Sequence, residues 1–261
     1  MPTGPNVADL VEAMESLAPS HLAAAWDNVG LLVGDPAAAL GRVLLAIDCT
    51  RAVLEEAIRL GCDTVVAYHP PIFRPEKRFV AGSIAYEAAR AGLAVFSPHT
   101  ALDAAPGGTN DVLADALGMT ARAPLRPVAA GDARGFGRIG AVPALPGGGH
   151  VERLKAALGV GQVLFAWPPG LGAIARAAVC AGSGGDLLDD AIRGGAGVFV
   201  TGELRHHDTL RALAAGIGVV CTLHSVSERA ALGALERALG DKLPGVEVRR
   251  SDADREPVAF G

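Results

Sequence analysis

Six short apolar runs constrain the fold of this 261-residue chain more than any other feature of its sequence. Each run is continuous and rich in β-branched or other apolar residues, which is typical of strands buried in a parallel sheet. Three of them lie in the first half of the chain and three in the second half, at residues 43–47, 64–67, 93–96, 177–180, 198–200 and 219–221.

Amphipathic segments separate the runs and predict helices at residues 51–60, 83–91 and 187–193. Gly61 and Gly92 follow the first two segments, at the position where the C-terminal cap of a helix favours glycine. Alternating strands and helices predict an α/β fold with mostly parallel sheets flanked by helices.

The two halves resemble one another when the second is shifted by 134 residues. Between residues 54–61 and 188–195, five of eight aligned pairs are identical and two exchange Glu for Asp. In the same register, residues 65–69 align with 199–203. We interpret this as an internal duplication that produces two related α/β lobes, with chance similarity as the alternative.

The lobes are expected at residues 1–120 and 171–261, joined by a connecting segment at 121–170. Within that segment, the glycine-rich residues 135–140 predict a strand or bulge. A loop at 145–149 and a short helix at 151–158 are expected to follow.

Composition excludes several classes of protein. The net charge of −5 and the lack of a Lys/Arg cluster argue against a surface that binds nucleic acid. No apolar run reaches the roughly 18 residues of a membrane span, and the first residues lack the pattern of a secretory signal. The four cysteines lie far apart without a C-x-x-C pair, so no disulfide framework or cysteine zinc site is indicated. We expect a soluble, cytoplasmic protein.

Three histidines directly follow predicted strands, namely His69, His99 and His224. Open parallel sheets place ligands beyond the carboxyl ends of their strands, so the location suits a functional site. His99 and Asp103 are four residues apart, as are His224 and Glu228, and such pairs share one face of a helix. Imidazole with carboxylate suits zinc, iron or manganese. For each histidine taken singly, a capping or loop hydrogen bond is the alternative.

Other polar or glycine-rich segments keep two interpretations. Asp48 follows the first run and lies near the site or caps the helix at 51–60. Residues 206–208 (His-His-Asp) have a functional interpretation, in which they bind substrate or support the site from outside it. Their alternative is an exposed helix start capped by Asp208. The segment 182–186 lies where phosphate loops lie but fits neither standard phosphate pattern, so a tight turn is favoured. His21 and His150 are expected at the surface.

Beyond these patterns, an ordered set of motifs resembles one known family. The motifs are Trp-Asp-Asn-Val-Gly-Leu at 26–31, Tyr-His-Pro-Pro-Ile-Phe at 68–73, His-Thr-Ala-Leu-Asp at 99–103, Gly-Gly-Thr-Asn-Asp at 107–111, Thr-Gly-Glu at 201–203 and His-Ser-Val-Ser-Glu at 224–228. With them the chain resembles the dinuclear metal centre hexameric protein family, the GTP cyclohydrolase I type 2 homologues, in its short form without an inserted domain.

The resemblance implies two α/β lobes with a metal site between them, in a homo-oligomer of six chains. By the same resemblance, His69 and Asp103 bind one divalent ion, His224 binds a second, and Glu228 bridges them. Tyr68 stands where the family usually has a histidine, and a phenol is a poor ligand unless the ion deprotonates it. One or two ions of zinc, iron or manganese per chain are therefore expected.

Three hypotheses for the function follow. The first is a metal-dependent hydrolase in which the ion activates water and Glu228 or His99 moves protons; the resemblance suggests GTP or a related nucleotide as substrate. The second is a non-catalytic metal-binding oligomeric scaffold or regulatory protein, which the substitution at Tyr68 favours. A nucleotide-binding module that uses residues 182–186 ranks last. Trp26–Asn28 lines the site or orders a loop.

Overall fold

The computed structural model describes residues 4–259 and divides into two compact units. The first unit holds the chain up to Leu102 together with Leu232–Arg255, and the second holds Asp103–Ala231 and the residues from Glu256 onward. These units differ from the predicted lobes, because residues 121–170 do not merely connect two lobes. They contribute strands that are hydrogen-bonded into the sheet of the second unit, so they belong to that unit.

The first unit contains a five-stranded sheet. Its strands are β1 (Gly30–Val33), β2 (Arg42–Ala46), β3 (Thr64–Ala67), β4 (Ala94–Ser97) and β11 (Glu247–Arg250). They are ordered β1-β4-β3-β2-β11, and every neighbouring pair is parallel except β1 with β4. Its helices are α1 (Val7–Leu17), α2 (Arg51–Leu60), α3 (Ile84–Arg90) and the start of α4 (His99–Ala104).

Local sequence accounts for the boundaries of α2, which match the prediction. The Thr50 side chain accepts a hydrogen bond from the Val53 amide at 3.3 Å and so caps the first turn. Gly61 ends the helix at φ +64°, a left-handed conformation that favours glycine. The cap is therefore Thr50, and the interpretation of Asp48 as the capping residue is wrong.

The second unit contains a six-stranded sheet. Its strands are β5 (Thr120–Pro127), β6 (Gly135–Leu145), β7 (Leu164–Ala166), β8 (Ile174–Ser183), β9 (Val198–Glu203) and β10 (Gly218–Cys221). They are ordered β5-β6-β8-β9-β10-β7, with β8, β9 and β10 parallel and the outer pairs antiparallel. Its helices are α5 (Thr109–Ala116), α6 (Gly147–Leu158), α7 (Leu188–Arg193), α8 (His206–Ala214) and the start of α9 (His224–Lys242).

The predicted α/β class, with sheets flanked by helices, is confirmed. Parallel pairing predominates in the first sheet, whereas in the second it is limited to the three central strands. The difference arises from β5, β6 and β7, which come from the supposed connecting segment and join the sheet in antiparallel pairs.

Strand pairing supports the interpretation of an internal duplication. In the first unit, Val43 of β2 pairs with Thr64 of β3, and in the second, Ala177 of β8 pairs with Val198 of β9. Adding 134 to each member of the first pair gives the second pair, so the shift found in the sequence also preserves the pairing register. The strand–helix–strand order β2–α2–β3 thus matches β8–α7–β9.

Two predictions about residues 145–150 are wrong. The glycines at 147–149 open α6 instead of forming a loop, and His150 is fully buried instead of lying at the surface. A Cβ on Gly147 would lie 2.8 Å from the ring of Trp167, so the missing side chain allows this ring to pack against the helix. The His150 Nε2 atom lies 3.1 Å from the Ile174 carbonyl oxygen. His21 is exposed, as predicted.

Helix α9 has 19 residues and continues from the second unit into the first. Acidic and basic side chains recur along it, from Glu228 to Lys242. Within residues 4–259, no helix has both the length and the apolar character that a bilayer crossing requires. A cytoplasmic location stays a prediction.

Candidate metal centre

Polar side chains gather beyond the carboxyl ends of the parallel strands in the first unit. The amides of Tyr68 and His69 continue the ladder past β3 by donating to the carbonyls of Ala46 and Ile47, at 2.8 and 2.9 Å. His99 follows β4 and opens α4. The strands therefore end where sheets of this kind place a ligand, as the sequence predicts.

His69 is oriented by a carboxylate from the adjacent strand end. Its Nδ1 atom lies 2.9 Å from Asp48 Oδ1. When Nδ1 donates its proton to Asp48, the lone pair of the imidazole is on Nε2, which is the tautomer that metal-binding histidines commonly use. Asp48 thus lies beside His69 at the candidate site.

His99 has a similar carboxylate partner, supplied by a distant loop. Its Nδ1 atom lies 2.7 Å from Asp27 Oδ1, and the Asp27 side chain is fully buried. Asp27 also accepts hydrogen bonds from the Thr100 amide, at 3.1 Å, and from the Thr100 hydroxyl. Burial raises the pKa of Asp27, but the hydrogen bonds from His99 and Thr100 outweigh it, so this pKa lies below its usual value. His99 has φ +27°, an uncommon conformation for a residue other than glycine.

Aromatic rings surround these histidines. The Tyr68 ring is buried, and its centre lies 5.2 Å from that of His69 and 5.7 Å from that of His99. The centres of the His69 and His99 rings are 5.4 Å apart. The ring centres of Trp26 and Phe73 lie 6.0 and 6.3 Å from that of His99. The first unit therefore brings together Tyr68, His69 and His99 from the predicted site.

The second unit brings together His224 and Glu228. The His224 Nε2 atom lies 3.2 Å from Glu228 Oε1, and its Nδ1 atom lies 3.2 Å from Glu203 Oε1. The hydrogen bond to Glu228 does most to raise the pKa of His224, and the charges of Glu228 and Glu203 add to it. These effects outweigh partial burial, which lowers the pKa, and bring it to about 9. His224 and Glu228 thus form a His/Glu group that could hold a metal ion, whose charge would take the place of the imidazole proton.

Small residues allow α9 to approach the strands closely at this point. A Cβ on Gly182 would lie 2.6 Å from Glu228 Oε1, and one on Gly202 would lie 2.8 Å from the His224 Cα atom. The Ser227 hydroxyl accepts from the Gly182 amide at 2.8 Å and donates to the His224 carbonyl at 2.7 Å. Gly182 therefore makes room for the Glu228 carboxylate.

The glycine-rich segment 182–186 is a tight strand-to-helix turn, which confirms the favoured interpretation. A single 3-10 turn, Gly185–Leu187, leads directly into α7. A Cβ on Gly184 would lie 2.5 Å from Thr201 Oγ1, so close packing explains this glycine.

Asp103 lies near the end of α4, four residues after His99 on the same helix. Its carbonyl accepts from the Asn110 side chain at 3.0 Å. Burial raises the pKa of the Cys180 thiol, and the negative charges of Asp103 and Glu228 raise it further.

Two partners of the histidines were missed by the sequence analysis. Glu203 carried a usable signal, because the 134-residue shift aligns it with His69. Asp27 lies in the motif at 26–31, which was expected to line the site or to order a loop, but nothing in the spacing links it to His99. Residues 206–208 form the exposed first turn of α8, as one alternative predicted, but the N-cap is Arg205 instead of Asp208.

Comparisons with known proteins agree with this architecture. The model of the family described as Duf34/NIF3 (NGG1p interacting factor 3) matches residues 5–257. A Lactococcus lactis protein named GTP cyclohydrolase 1 type 2 homolog is 32% identical over 262 residues, which cover 97% of this chain and 98% of the relative. Protein NIF3 homolog of Schizosaccharomyces pombe is 37% identical over 242 residues, with 84% of each chain covered. A crystal structure of a Staphylococcus aureus hypothetical protein has a TM-score of 0.89 at 26% identity and covers 98% of this chain and 99% of that one.

Proposed function

Because this chain belongs to the Duf34/NIF3 family, we propose that it is a metal-dependent hydrolase acting on GTP or a related nucleotide. One observation carries the metal-dependent part. Each of the two proposed imidazole ligands, His69 and His224, has its Nδ1 atom beside a carboxylate, at 2.9 and 3.2 Å. A histidine held in this way presents Nε2 to a metal ion. The nucleotide substrate is suggested by the name of the Lactococcus relative, GTP cyclohydrolase 1 type 2 homolog.

The proposed ligands are His69, Asp103, His224 and Glu228, which would hold one or two divalent ions of zinc, iron or manganese. Three of them, His69, His224 and Glu228, each offer a ligand atom of the kind these metals prefer. The donor set fits, because neutral imidazole and carboxylate bind such ions without a thiolate. A bound ion would lower the pKa of its water toward neutrality and so supply hydroxide at physiological pH.

Proton movement is assigned to Glu228 and His99. Asp27 fixes the orientation of the His99 ring by its 2.7 Å contact with Nδ1, so proton exchange with a substrate is assigned to Nε2. Glu228 is 3% exposed, and its Oε1 atom lies 3.2 Å from His224 Nε2, so its carboxylate is placed to exchange a proton with water held beside that ligand.

The test is the metal content per chain, by elemental analysis of protein purified without a chelating tag, followed by GTP turnover with and without chelator. We expect one or two ions per chain and turnover that chelator abolishes. His224→Gln should lose metal, whereas His21→Gln, at an exposed site, should retain it. Protein that takes up no ion from zinc, manganese or iron solutions would refute the hydrolase proposal.

Tyr68 favours a second candidate, a metal-binding oligomeric scaffold or regulatory protein without turnover. The Tyr68 side chain is 2% exposed and stands where the family usually has a histidine. An ordinary phenol, with a pKa near 10, binds metal weakly at neutral pH. Under this proposal the chain binds metal yet leaves GTP intact, and Tyr68→His raises the number of ions per chain.

We also propose that the protein forms a homo-oligomer, and a hexamer in particular. Support comes from β7, the edge strand of the second sheet, whose Leu164 and Phe165 are 56% and 57% exposed. An apolar edge strand favours association with another chain. Light scattering after size exclusion should give six times the 26.4 kDa chain mass, and a monomer would contradict the proposal.

A further inference from the structure

Trp26 and Asp27 reverse the usual distribution of apolar and charged side chains. Trp26 is 63% exposed, whereas the carboxylate next to it in the chain is completely buried. Folded proteins normally bury the indole and expose the carboxylate. Phe73, which contacts Trp26 at a ring-centre distance of 5.9 Å, is also 46% exposed. The first unit therefore presents a pair of large aromatic rings to solvent.

Hydrogen bonds hold the loop that carries Trp26 in place. The Ala24 amide donates to the Thr100 hydroxyl at 3.0 Å, and the Asp27 amide donates to the Ala24 carbonyl at 2.9 Å. The Asn28 side chain donates to the Ile72 carbonyl at 2.6 Å and so ties the Trp26 loop to the segment of Phe73. The exposed rings are thus fixed relative to one another before any ligand binds.

A polar ring completes the arrangement. The His99 ring lies 6.0 Å from Trp26 and 6.3 Å from Phe73, at interplanar angles of 71° and 72°. The buried Asp27 carboxylate holds this imidazole at its Nδ1 atom, 2.7 Å away. The Trp26 and Phe73 rings are tilted by 56° to each other, so a planar ligand could stack on one of them and meet the edge of the other. Exposed apolar rings beside a polar ring suit a planar molecule with ring nitrogens or oxygens.

We propose that Trp26 and Phe73 form a stacking site for a planar heteroaromatic ring such as a nucleobase. The inference rests on the proposed function, which it deepens by identifying where the base of a nucleotide substrate would bind. Stacking itself needs no metal ion. Removing one aromatic platform from a base commonly costs tenfold or more in affinity.

Tryptophan fluorescence can test the site because the chain has only two tryptophans. A Trp167→Phe variant keeps Trp26 as its single reporter, and chelator keeps it free of metal. We expect guanosine to quench Trp26 saturably and ribose 5-phosphate, which has no base, to leave it unchanged. Phe73→Ala should weaken guanosine binding about tenfold. Phe79→Ala is the matched control, since Phe79 is 58% exposed in the same unit.

Calorimetry with guanosine on the unsubstituted chain and on Trp26→Ala gives the same comparison without altering Trp167. Equal binding by these two proteins would overturn the proposal, as would equal losses from Phe73→Ala and Phe79→Ala. A change of Trp26 fluorescence with protein concentration alone would also overturn it and assign the rings to contact between chains. Guanosine binding without GTP turnover would keep the stacking site and reject the hydrolase; turnover without guanosine binding would do the reverse.

Discussion

Replacing Gly182 by alanine should separate the His224–Glu228 pair without touching either residue. Gly182 has φ +66°, and a Cβ placed on it would lie 2.6 Å from Glu228 Oε1. The carboxylate is the end of a flexible side chain, so we expect it to move away from the new methyl group. His224 then loses the contact that does most to raise its pKa.

The expected magnitude has two parts. A side chain in the left-handed conformation costs about 1–2 kcal/mol of unfolding free energy in any fold. Loss of the ion pair adds to this, but the His224 side chain is 38% exposed, so solvent screening limits the addition to about 1 kcal/mol. The pKa of His224 should fall from about 9 toward its usual value of 6.5.

Gly195→Ala is the matched control. Gly195 lies in the same unit at φ +69°, and a Cβ there would meet nothing within 4 Å. Gly195→Ala should therefore lower the unfolding free energy only by the cost of a side chain in the left-handed conformation. Urea unfolding of metal-free protein measures the difference between the two variants, and NMR titration of the imidazole protons measures the pKa.

The pH dependence provides a sign that a purely structural effect would not reproduce. A raised pKa in the folded protein contributes stability that is complete below pH 6.5 and is lost as the pH rises through about 9. The difference between Gly182→Ala and Gly195→Ala should therefore be largest below pH 6.5 and shrink above pH 9. Equal unfolding free energies for the two variants, or an unchanged His224 pKa in Gly182→Ala, would refute the reasoning.

Three further predictions follow from the charge pairs of the two units. Asp111→Asn should lower the unfolding free energy by about 3–5 kcal/mol in urea unfolding, because it leaves the 2% exposed Arg138 without its bidentate partner. Asp115→Asn is the control, since Asp115 lies on the same helix but is 66% exposed, and it should change this free energy by less than about 1 kcal/mol. Burial raises the pKa of Asp111, but the hydrogen bonds and charge of Arg138 outweigh it, so this pKa lies below its usual value. In an acid titration the unsubstituted chain should therefore lose stability as the pH falls below about 4, and Asp111→Asn should lose less. Asp48→Asn should weaken zinc binding by about 10- to 100-fold in a competition titration with a chelating dye, because the amide orients His69 less strongly; unchanged affinity would contradict that role.

The sequence predicted most of the regular elements because their signals are local. The bounds of α2 follow from an amphipathic period that ends at Gly61, and β3 follows from a continuous β-branched run. The start of α6 was missed because three consecutive glycines resemble a loop, whereas the close approach of Trp167 to Gly147 is a tertiary contact that no local pattern encodes. His150 was misplaced for the same reason, since its burial depends on the neighbouring β8 and not on its own segment.

The candidate ligands were found from the sequence, since a histidine after a strand and an i, i+4 acidic residue are patterns within a few positions. The contacts that orient them were not. His99 and Asp27 are 72 residues apart, and His69 and Asp48 are 21 residues apart, so their hydrogen bonds exist only once the strands are placed side by side. The exposed position of Trp26 likewise depends on what packs around Asp27.

By itself, the sequence determined the α/β class and the repeated strand–helix pattern, and it predicted which residues form the candidate metal centre. These features follow from hydrophobic periodicity and from spacings of a few residues. Tertiary structure alone decided that residues 121–170 join the second sheet, that Asp48 and Glu203 hold the imidazoles, and that Gly182 leaves space for a carboxylate. These features depend on hydrogen bonds and close contacts between segments distant in the chain, and strand order, which no local pattern encodes, brings those segments together.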